Sequence, residues 1–295
     1  MSSFSSKKIV IVISALILLI FSAGAALAGP RISYLFKRPK IECNWQDLGP
    51  VPLAKKEYPP QGLTFWNNSL IFSNHWQDTA SGLYQLDPHS MKIVAESKMP
   101  LEASHTSGLT HDGTWLWAAD YNSNKIYKMD LKKSFEDGAA YIVESYPTGL
   151  KGTSALTFIR WKDRSYFAIS DFFHSGQTYL IEADKISELN TSSTQTLAAF
   201  SYDNDWFSQG LTWDGTYLYE SVNNIGIDRI RVLFLDDWLS GKSSEPCLIA
   251  EISFGGPAAE DLATDGSTLW SSDEITYEFV RIEEYAKYIP EKDCP

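Results

Sequence analysis

One phrase occurs five times along the chain, and this repeat constrains the fold more than any other feature. Each copy contains a leucine, a short polar turn and a stretch rich in Leu, Trp, Tyr and Phe. The copies are QGLTFWNNSLIFSNHW from Gln61, SGLTHDGTWLWAADY from Ser107, SALTFIRWKDRSYFAISDF from Ser154, QGLTWDGTYLYESVN from Gln209 and EDLATDGSTLWSSDE from Glu260. The shared marker leucines, spaced 46, 47, 55 and 51 residues apart, are Leu63, Leu109, Leu156, Leu211 and Leu262. This period is typical of one four-stranded β-propeller blade.

Turn signals and alternating residues indicate that each repeat consists of antiparallel strands. The first two strands are joined by a D-G, N-N or similar turn, and strands such as GLYQLD and KIVAESKM follow as the third and fourth. Two-residue alternation between turn dipeptides is typical of β-hairpins. We therefore predict an all-β fold, a five-bladed β-propeller of four-stranded antiparallel blades, with one short helix near residues 182–189.

The last repeat lacks a fourth strand, which indicates how the ring closes. Only 33 residues follow Leu262, whereas at least 46 separate the other marker leucines. The N-terminal stretch IECNWQDLGPVP stands before the first repeat as CLIAEISFGGPA stands before the fifth. We therefore predict that residues 42–48 form the outer strand of the fifth blade, so that the propeller spans residues 42–295. Such closure removes exposed sheet edges.

Three cysteines are too few for a disulfide-rich scaffold, and they lack zinc-site spacing. Closure by the N-terminal strand would bring Cys294 beside Cys43, and an oxidising compartment would let these two residues form a disulfide bond. A bond between Cys43 and Cys247 is the alternative.

Residues 9–28 are apolar or small and carry no charge. Lys7 and Lys8 precede them, and Ala26-Leu27-Ala28 ends them, as in a cleaved secretory signal. Twenty such residues also suit an uncleaved membrane anchor, with the basic residues of a juxtamembrane linker at 29–41 after it. The sequence therefore predicts that residues 1–28 are either a signal peptide or a membrane anchor. Both predict an extracytoplasmic propeller that is secreted, periplasmic or membrane-anchored, and that contacts membrane only through an uncleaved segment.

Composition and charge narrow the class of partner. The chain is 44% hydrophobic and 14% aromatic, enough apolar surface for a folded core. Its net charge is −12, and removal of residues 1–28 would leave −14. The basic residues are scattered among acids, which argues against nucleic-acid binding. We expect a monomer that binds a small peptide or a small molecule.

Short polar side chains recur where the second strand of a repeat ends. They lie eleven residues past the marker leucine, allowing for an insertion in the third repeat: Asn74, Asp120, Asp171 and Asp273. Such residues commonly cap turns through backbone hydrogen bonds. The alternative is a carboxylate ring around the central channel that binds calcium. Because no histidine cluster accompanies these positions, we predict no metal dependence and no cofactor.

Glu220 breaks the repeat. It lies nine residues past its marker leucine, where the other repeats carry apolar or small residues: Phe72, Ala118, Ile169 and Ser271. A carboxylate on such a face suggests a general acid/base or a ligand contact, since burial would raise its pKa. The alternative is a structural ion pair with Arg229 or Arg231. His111 also differs in type from the residues at its position in the other repeats. A histidine packed among its neighbours is the ordinary explanation.

Polar and aromatic residues are expected to meet at one end of the ring. The loops that enter the first strands and those that follow the second strands share one face of a propeller. These residues would either rim a ligand-binding cup or wedge neighbouring blades together: Gln61, Trp76, Tyr121, Phe172, Phe173, Trp206, Phe207, Gln209 and Glu260.

The segment FSQGLTWDGTYLYES at residues 207–221 resembles the signature of plant and bacterial glutaminyl cyclases, which are five-bladed propellers. ATDGSTLWSSDE and SLIFSNHWQDTASGLYQLDP are similar to that family's later phrases. The resemblance implies that Glu220 is the catalytic glutamate, Asn74 an active-site asparagine and Trp76 a residue near the substrate. The chain departs from the family at the catalytic lysine, where it has Ala118-Ala119-Asp120, and after LYES, where Val222-Asn223-Asn224 replaces a glycine-rich stretch.

The leading interpretation is therefore an exported propeller resembling glutaminyl-peptide cyclotransferases. In that reaction the α-amine of an N-terminal glutamine attacks its own side-chain amide and releases ammonia. Glu220 would move the proton and Asn74 would hold the oxyanion; the expected substrate contacts are Trp76, Trp206, Gln209 and Asp120. A non-catalytic propeller that binds a peptide, a glycan or a protein is the first alternative. A calcium-dependent hydrolase is the second.

Overall fold

The computed structural model of the chain describes residues 40–53, 59–75, 81–172, 177–189, 198–200, 207–223, 229–254 and 259–291. Residues 9–28, on which the signal or anchor prediction rests, lie outside these ranges. Within the described ranges, no helix is long and apolar enough to cross a membrane.

Five β-sheets form a ring, which confirms the predicted five-bladed propeller. The first three blades each contain four antiparallel strands in sequence order, and the first strand of each packs against the first strands of its neighbours. Blade 1 contains β3 (Pro60–Trp66), β4 (Ser69–Asn74), β5 (Gly82–Asp87) and β6 (Lys92–Lys98). Blade 2 contains β7 (Thr106–His111), β8 (Leu116–Asp120), β9 (Lys125–Asp130) and β10 (Tyr141–Pro147). Blade 3 contains β11 (Thr153–Trp161), β12 (Arg164–Asp171), β13 (Gln177–Glu182) and β14 (Ala198–Phe200).

The last two blades each take a strand from the beginning of the chain. Blade 4 contains β15 (Phe207–Trp213), β16 (Tyr217–Asn223), β17 (Arg229–Phe234) and β18 (Cys247–Ser253), with β1 (Lys40–Glu42) beside β18. Blade 5 contains β19 (Ala259–Thr264), β20 (Thr268–Asp273) and β21 (Glu278–Glu283), with β2 (Gln46–Pro50) as its outer strand. The N-terminal strand therefore closes the ring, as predicted.

Two details of the closure differ from the prediction. The outer strand of blade 5 is Gln46–Pro50 and not residues 42–48, with Gln46 opposite Arg281 and Pro50 opposite Glu278. Residues 40–42 instead pair in parallel with the outer strand of blade 4, Lys40 opposite Glu251 and Glu42 opposite Ser253. Blade 4 therefore has five strands and one parallel pair, where a four-stranded antiparallel blade was expected. The added strand covers an edge that would otherwise expose unpaired backbone groups.

The predicted disulfide between Cys43 and Cys294 is wrong, because Cys43 is a free cysteine. The same finding excludes the alternative bond between Cys43 and Cys247. Cys43 lies in the short link between β1 and β2, packed against the core between blades 4 and 5. Burial, with a smaller effect of the Glu42 charge, raises its thiol pKa to about 11, so the reactive thiolate is disfavoured. Cys247 is disulfide-bonded; Cys294 lies outside the described residues.

Among the residues that the structure describes, helices are few and short. The predicted helix near residues 182–189 is a 3-10 helix at Ala183–Glu188. An α-helix that the sequence reading missed, α1 (Leu131–Asp137), connects β9 to β10; Asp130 caps its N-terminus by accepting the Lys133 N–H at 3.0 Å. The remaining helical turns are α2 (Asp236–Leu239) and the 3-10 helices Leu101–Ala103 and Tyr285–Tyr288.

The hydrophobic core is divided among the interfaces between blades. Five clusters of buried residues lie between blades 1 and 2, 2 and 3, 3 and 4, 4 and 5, and 5 and 1. The marker leucines belong to these clusters, and each is at most 1% exposed. The repeated leucine is thus explained by packing, since each blade places it against a neighbour.

The first strands of neighbouring blades approach each other closely one residue before the marker leucine. Four blades have a small residue there, Gly62, Gly108, Ala155 and Gly210, whereas blade 5 has Asp261. A Cβ atom at Gly210 would lie 2.4 Å from the Asp261 Cα. Glycine is therefore required at this position of blade 4 by the backbone of blade 5.

The carboxylate of Asp261 connects four blades. Its Oδ2 accepts the backbone N–H groups of Leu63 at 2.8 Å and Leu109 at 3.0 Å. Its Oδ1 accepts those of Leu262 at 2.9 Å and Leu211 at 3.2 Å. All four donors are marker leucines, from blades 1, 2, 5 and 4. One buried side chain thus satisfies backbone donors from most of the ring.

Candidate functional site

The two ends of the ring carry different groups, and we name them for the strands that meet there. At the first face, the first strands begin and the second strands end. At the second face, tight turns join first strands to second strands. The predicted cup residues that the structure describes belong to the first face.

The recurring polar residues of the first face cap turns. Asn74 Oδ1 accepts the N–H of Gly82 at 2.7 Å. Asp120 accepts the N–H groups of His105 and Ser123, both at 2.7 Å. Asp273 and Asp171 likewise accept backbone N–H groups, from Ile275 and Thr276 and from Lys151. These contacts match the turn-cap interpretation of the repeat. In the described parts of the chain, no group of three His, Cys, Asp or Glu residues is placed to hold a metal ion.

Glu220 is a buried partner of an arginine. Its side chain is on β16, opposite Arg231 on β17, and the residue is 0% exposed. Arg231 Nη1 lies 3.3 Å from Oε2, and Thr178 of blade 3 donates its hydroxyl to Oε1 at 2.9 Å. Of the two arginines considered from the sequence, Arg231 is the one that pairs with Glu220. Arg229 pairs with Glu251 at 3.1 Å.

A buried hydroxyl network surrounds this ion pair at the interface of blades 3 and 4. Ser170 lies 2.8 Å from Thr178, and Ser208 donates to Ser170 at 2.8 Å. Ser154 donates to the backbone oxygen of Ser208 at 2.8 Å. Glu220 is therefore the charged end of a polar chain that joins two blades.

Aromatic rings form a continuous arc across blades 1 to 4 at the first face. The rings of His75 and His105 stack with centroids 3.8 Å apart, and His105 lies 4.9 Å from Tyr121. Tyr121 contacts Phe172 at 5.6 Å, and Phe172 stacks on Phe207 at 4.6 Å. All five side chains are half-buried, so each presents part of its surface to solvent.

Amide–carboxylate pairs complete the ring through blade 5. Gln61 of blade 1 donates to Glu274 of blade 5 at 3.5 Å, and Gln209 of blade 4 donates to Glu260 of blade 5 at 3.0 Å. His105 Nε2 lies 3.0 Å from Gln61 Oε1, which links these pairs to the aromatic arc. We call the arc and the two pairs together the first-face rim. The rim has an aromatic side and an acidic side.

The hydrogen bonds of the two histidines define their proton positions. An amide oxygen only accepts, so His105 donates from Nε2 to Gln61. A carbonyl oxygen also only accepts, so His75 donates from Nδ1 to Ser104, at 2.8 Å. Burial, with a smaller effect of His75, lowers the pKa of His105 to about 3. The His105 ring is therefore neutral at physiological pH and has an acceptor nitrogen at Nδ1.

The structure brings some of the predicted site residues together and separates others. Gln209 belongs to the rim, Asn74 and Asp120 are turn caps beside it, and Glu220 is enclosed between blades. Trp76, Trp206 and Phe173 lie outside the described residues. His111 is packed as expected: it donates from Nε2 to the Phe65 oxygen at 3.1 Å, and its ring stacks on Trp66.

Sequence reasoning missed His75, His105 and Asp261. His105 lies in a loop before the second copy of the repeat, so comparison of repeats gave no signal for it. His75 lies within the first copy, at the position of Tyr121 in the second, but Trp76 was singled out there instead. Asp261 had a signal, because it is the one carboxylate in a column of glycine and alanine.

Comparison with known proteins supports the fold. No protein-family model and no curated protein matches the sequence. Among solved structures, the Myxococcus xanthus glutaminyl cyclase is similar with a TM-score of 0.55 and 12% identity, over 83% of this chain and 98% of that chain. A chain of a nidogen–laminin complex has a TM-score of 0.50 and 13% identity, over 82% of both chains. The tail fibre of Staphylococcus aureus phage P68 has a TM-score of 0.52 and 12% identity, over 83% of this chain and 54% of that chain. At these identities the similarity is one of fold.

Proposed function

We propose that this chain is an extracytoplasmic binding propeller whose first-face rim holds a small peptide or small molecule with an amine and an apolar group. The observation that carries the proposal is the division of the rim into an aromatic side and an acidic side. The N-terminal residue of a peptide has this combination of groups.

Each side of the rim would recognise one part of such a ligand. The half-buried rings of Tyr121, Phe172 and Phe207 offer apolar surface and negative ring faces, which attract an ammonium group as well as carbon. Glu274, which is half-buried, supplies a carboxylate that is already oriented by Gln61. Glu260, which Gln209 contacts, is buried and adds negative charge beneath the rim. Oriented acceptors bind an ammonium group with less loss of side-chain freedom.

The surroundings of Glu220 favour binding over catalysis. A proton shuttle must lie within hydrogen-bond reach of the reacting group. Glu220 is fully buried, and its two oxygens are engaged by Arg231 and Thr178. At the position of the family's lysine, Asp120 caps the loop that contains Ser123. Loss of one charge-stabilising group typically costs on the order of 10²-fold in rate or more.

A glutaminyl-peptide cyclotransferase is the second candidate. It is favoured by the segment at residues 207–221 and by a fold similarity that extends over nearly the whole Myxococcus cyclase. In this case the α-amine of the substrate would lose a proton as it attacks the side-chain amide, and ammonia would take one as it leaves. A role for Glu220 would then require it to exchange the Arg231 contact for a substrate contact.

Calorimetry and ammonia release on the same preparation separate the candidates. For the binding propeller, we expect Phe-Ala to bind and N-acetyl-Phe-Ala to bind at least tenfold more weakly, because acetylation removes the ammonium charge. Glu274→Gln should weaken Phe-Ala binding several-fold, whereas Glu136→Gln, on exposed α1, should leave binding unchanged. Equal binding of both peptides, or of neither, would contradict the proposal. Release of ammonia from Gln-Ala would establish the cyclotransferase instead.

Two further measurements test the remaining parts of the proposal. Cell fractionation of the full chain, with N-terminal sequencing of the mature protein, should find it outside the cytoplasm; a cytoplasmic protein that keeps Met1 would contradict the proposed location. A melting-temperature scan with calcium and with EDTA tests the hydrolase alternative, since a bound ion raises the melting temperature. We expect no shift with either reagent.

A further inference from the structure

A pocket of about 900 Å³ opens on the second face, at the other end of the ring from the first-face rim. Its walls come from turns and strand ends of blades 1, 4 and 5. A second cavity of about 240 Å³ is lined by residues of all five first strands. The two cavities share Phe65, Trp213 and Thr264. The larger one has the size of a small-ligand site.

A single break in the repeat explains why the pocket lies beside blade 5. Two residues past the marker leucine, four blades have a flat ring: Phe65, His111, Phe158 and Trp213. Blade 5 has Thr264 at this position, and the pocket is lined by Thr264 and the turn after it. At the second face, the other four blades place an aromatic or imidazole ring at this position, and the smaller threonine of blade 5 leaves space.

The walls of the pocket combine flat aromatic surface with hydrogen-bonding groups. Phe65 stacks on Trp270 with ring centroids 4.9 Å apart and an interplanar angle of 5°, and Phe65 and Trp213 are both half-buried. Trp270 is 3% exposed, and its indole nitrogen has no hydrogen-bond partner in the described structure. Asn68, Ser267 and Thr268 add amide and hydroxyl groups.

The charged groups of the pocket already have hydrogen-bond or ion-pair partners within the protein. Asp214 accepts hydrogen bonds from the hydroxyls of Tyr219 at 2.9 Å and Tyr285 at 3.1 Å, in addition to backbone N–H groups. Asp265 accepts the N–H groups of Ser267 and Thr268, both at 2.7 Å. Arg281 forms an ion pair with Glu283 at 2.8 Å. Because these groups already have partners, a neutral polar ligand can bind here without supplying a counter-charge.

We propose that the second-face pocket is a saccharide-binding site. A neutral oligosaccharide presents hydroxyl groups at its edges and C–H groups on the faces of its rings. The edges suit Asn68, Ser267 and Thr268, and the faces suit Phe65 and Trp213. This site is separate from the first-face rim, and the proposal does not depend on what the rim binds.

The test fills the pocket with the residue type that the other blades carry. Calorimetry of the full chain with maltotriose, cellotriose and tri-N-acetylchitotriose should detect binding of at least one of them. Thr264→Trp should weaken that binding at least tenfold, and Thr264→Val, which keeps the size of the side chain, should change it less than threefold. Triglycine and inorganic phosphate serve as control probes and should not bind.

A second measurement applies if Thr264→Trp does not fold. The same trisaccharide should change the tryptophan fluorescence of the unmodified chain, and Trp213→Phe should remove most of that change and weaken calorimetric binding, because the smaller ring offers less surface to the sugar face. Failure of all three trisaccharides to bind would overturn the proposal. Binding that Thr264→Trp leaves unchanged, or binding of triglycine or phosphate with greater affinity, would also overturn it.

Discussion

Two buried carboxylates break the repeat, and their surroundings are opposite. Glu220 lies between blades 3 and 4 with a guanidinium partner, and its network joins two blades. Asp261 lies among the first strands, where four backbone N–H groups from four blades donate to it. Burial raises the pKa of the Asp261 carboxyl well above its ordinary value, and the four donors act in the opposite direction.

The comparison teaches that a charged residue in a repeat can break the pattern for architectural reasons. A carboxylate present in only one repeat suggests a catalytic or binding role, because burying a charge costs free energy unless contacts offset it. For both Glu220 and Asp261, contacts with other blades offset this cost. These contacts require residues that differ from one repeat to the next. Asymmetry in a ring of repeats is therefore evidence of function only after its contacts with neighbouring repeats have been examined.

The largest effect is expected from removing the carboxylate of Asp261. Asp261→Ala leaves four buried N–H groups without an acceptor, at about 1–3 kcal/mol each when buried donors are left unsatisfied. We expect the free energy of unfolding in urea to fall by about 6 kcal/mol, a large share of ordinary domain stability. Asp265→Ala, in an exposed turn of the same blade, is the control and should cost about 1 kcal/mol. A loss below about 2 kcal/mol for Asp261→Ala would remove the contrast between the two carboxylates.

The next effect tests whether Glu220 is structural. Glu220→Gln leaves the buried guanidinium of Arg231 without its carboxylate, and breaking a buried pair in this way typically costs about 3–5 kcal/mol. Urea unfolding of the single variant and of Glu220→Gln with Arg231→Met measures this cost. The second substitution should restore much of the stability, since it removes the remaining charge.

One result of this experiment would support a catalytic role for Glu220. That result is a folded Glu220→Gln protein of ordinary stability that has lost an ammonia-releasing activity present before the substitution. Thr178→Val, which removes the hydroxyl donor but no charge, is the matched comparison and should cost about 1 kcal/mol.

A smaller effect concerns the close approach of first strands near Asp261. Gly210→Ala places a methyl group 2.4 Å from the Asp261 Cα and 2.6 Å from the Glu260 oxygen, both backbone atoms. Overpacking of this kind costs about 1–3 kcal/mol, and thermal unfolding should show it. Blade 3 already has Ala155 in this column, so Ala155→Gly should cost no more than about 1 kcal/mol. Equal costs at both positions would show that the packing near Asp261 is not what requires glycine.

The smallest effect is a pH dependence from His105, whose half-buried ring stays neutral in the folded protein. Its folded pKa of about 3 lies below the ordinary 6.5, so between these values the unfolded chain binds a proton that the folded chain does not. This group therefore lowers stability as pH falls from 6.5 toward 3.

His105→Gln should remove that contribution. The full pKa difference would give roughly 3 kcal/mol between pH 7 and pH 4, and partial exposure of the ring reduces it. The variant should therefore lose less stability than the unmodified chain by on the order of 1 kcal/mol. Melting temperatures of both proteins across this range measure the difference in stability. The contributions of the carboxyl groups cancel in this difference, because both proteins contain them. Parallel curves for the two proteins would show that His105 is not held neutral by the fold.

The parts of the fold that follow from periodicity could be predicted. The marker leucines and their spacing identified five blades, and the missing strand identified closure from the N-terminus. The strand boundaries were harder, because residues 40–50 contain two short strands that join different blades. A pattern read along the chain does not tell which edge a three-residue strand such as Lys40–Glu42 will cover.

Site residues were less predictable because their partners come from other blades. Glu220 could be recognised as unusual, but its contacts with Arg231 and Thr178 depend on packing against blade 3. His75 and His105 are 30 residues apart and belong to different blades, yet their rings stack. The cysteine prediction failed for a related reason, since it placed Cys43 in the outer strand of blade 5, whereas Cys43 lies in the link between β1 and β2.

The closing strand also has a consequence for the order of folding during synthesis. Gln46 and its hydrogen-bonding partner Arg281 are separated by 235 residues, which a ribosome adds in roughly 10 to 50 s at about 5–20 residues per second. Throughout that time the partner strand of β2 has not been synthesised. The backbone N–H groups of blades 1, 2 and 4 that donate to Asp261 also lack this acceptor until blade 5 is made. Blades 1 to 3 can form as the chain emerges, whereas the ring as a whole becomes stable only after blade 5 has been synthesised. Until then, the nascent chain depends on whatever shields its open strand edges.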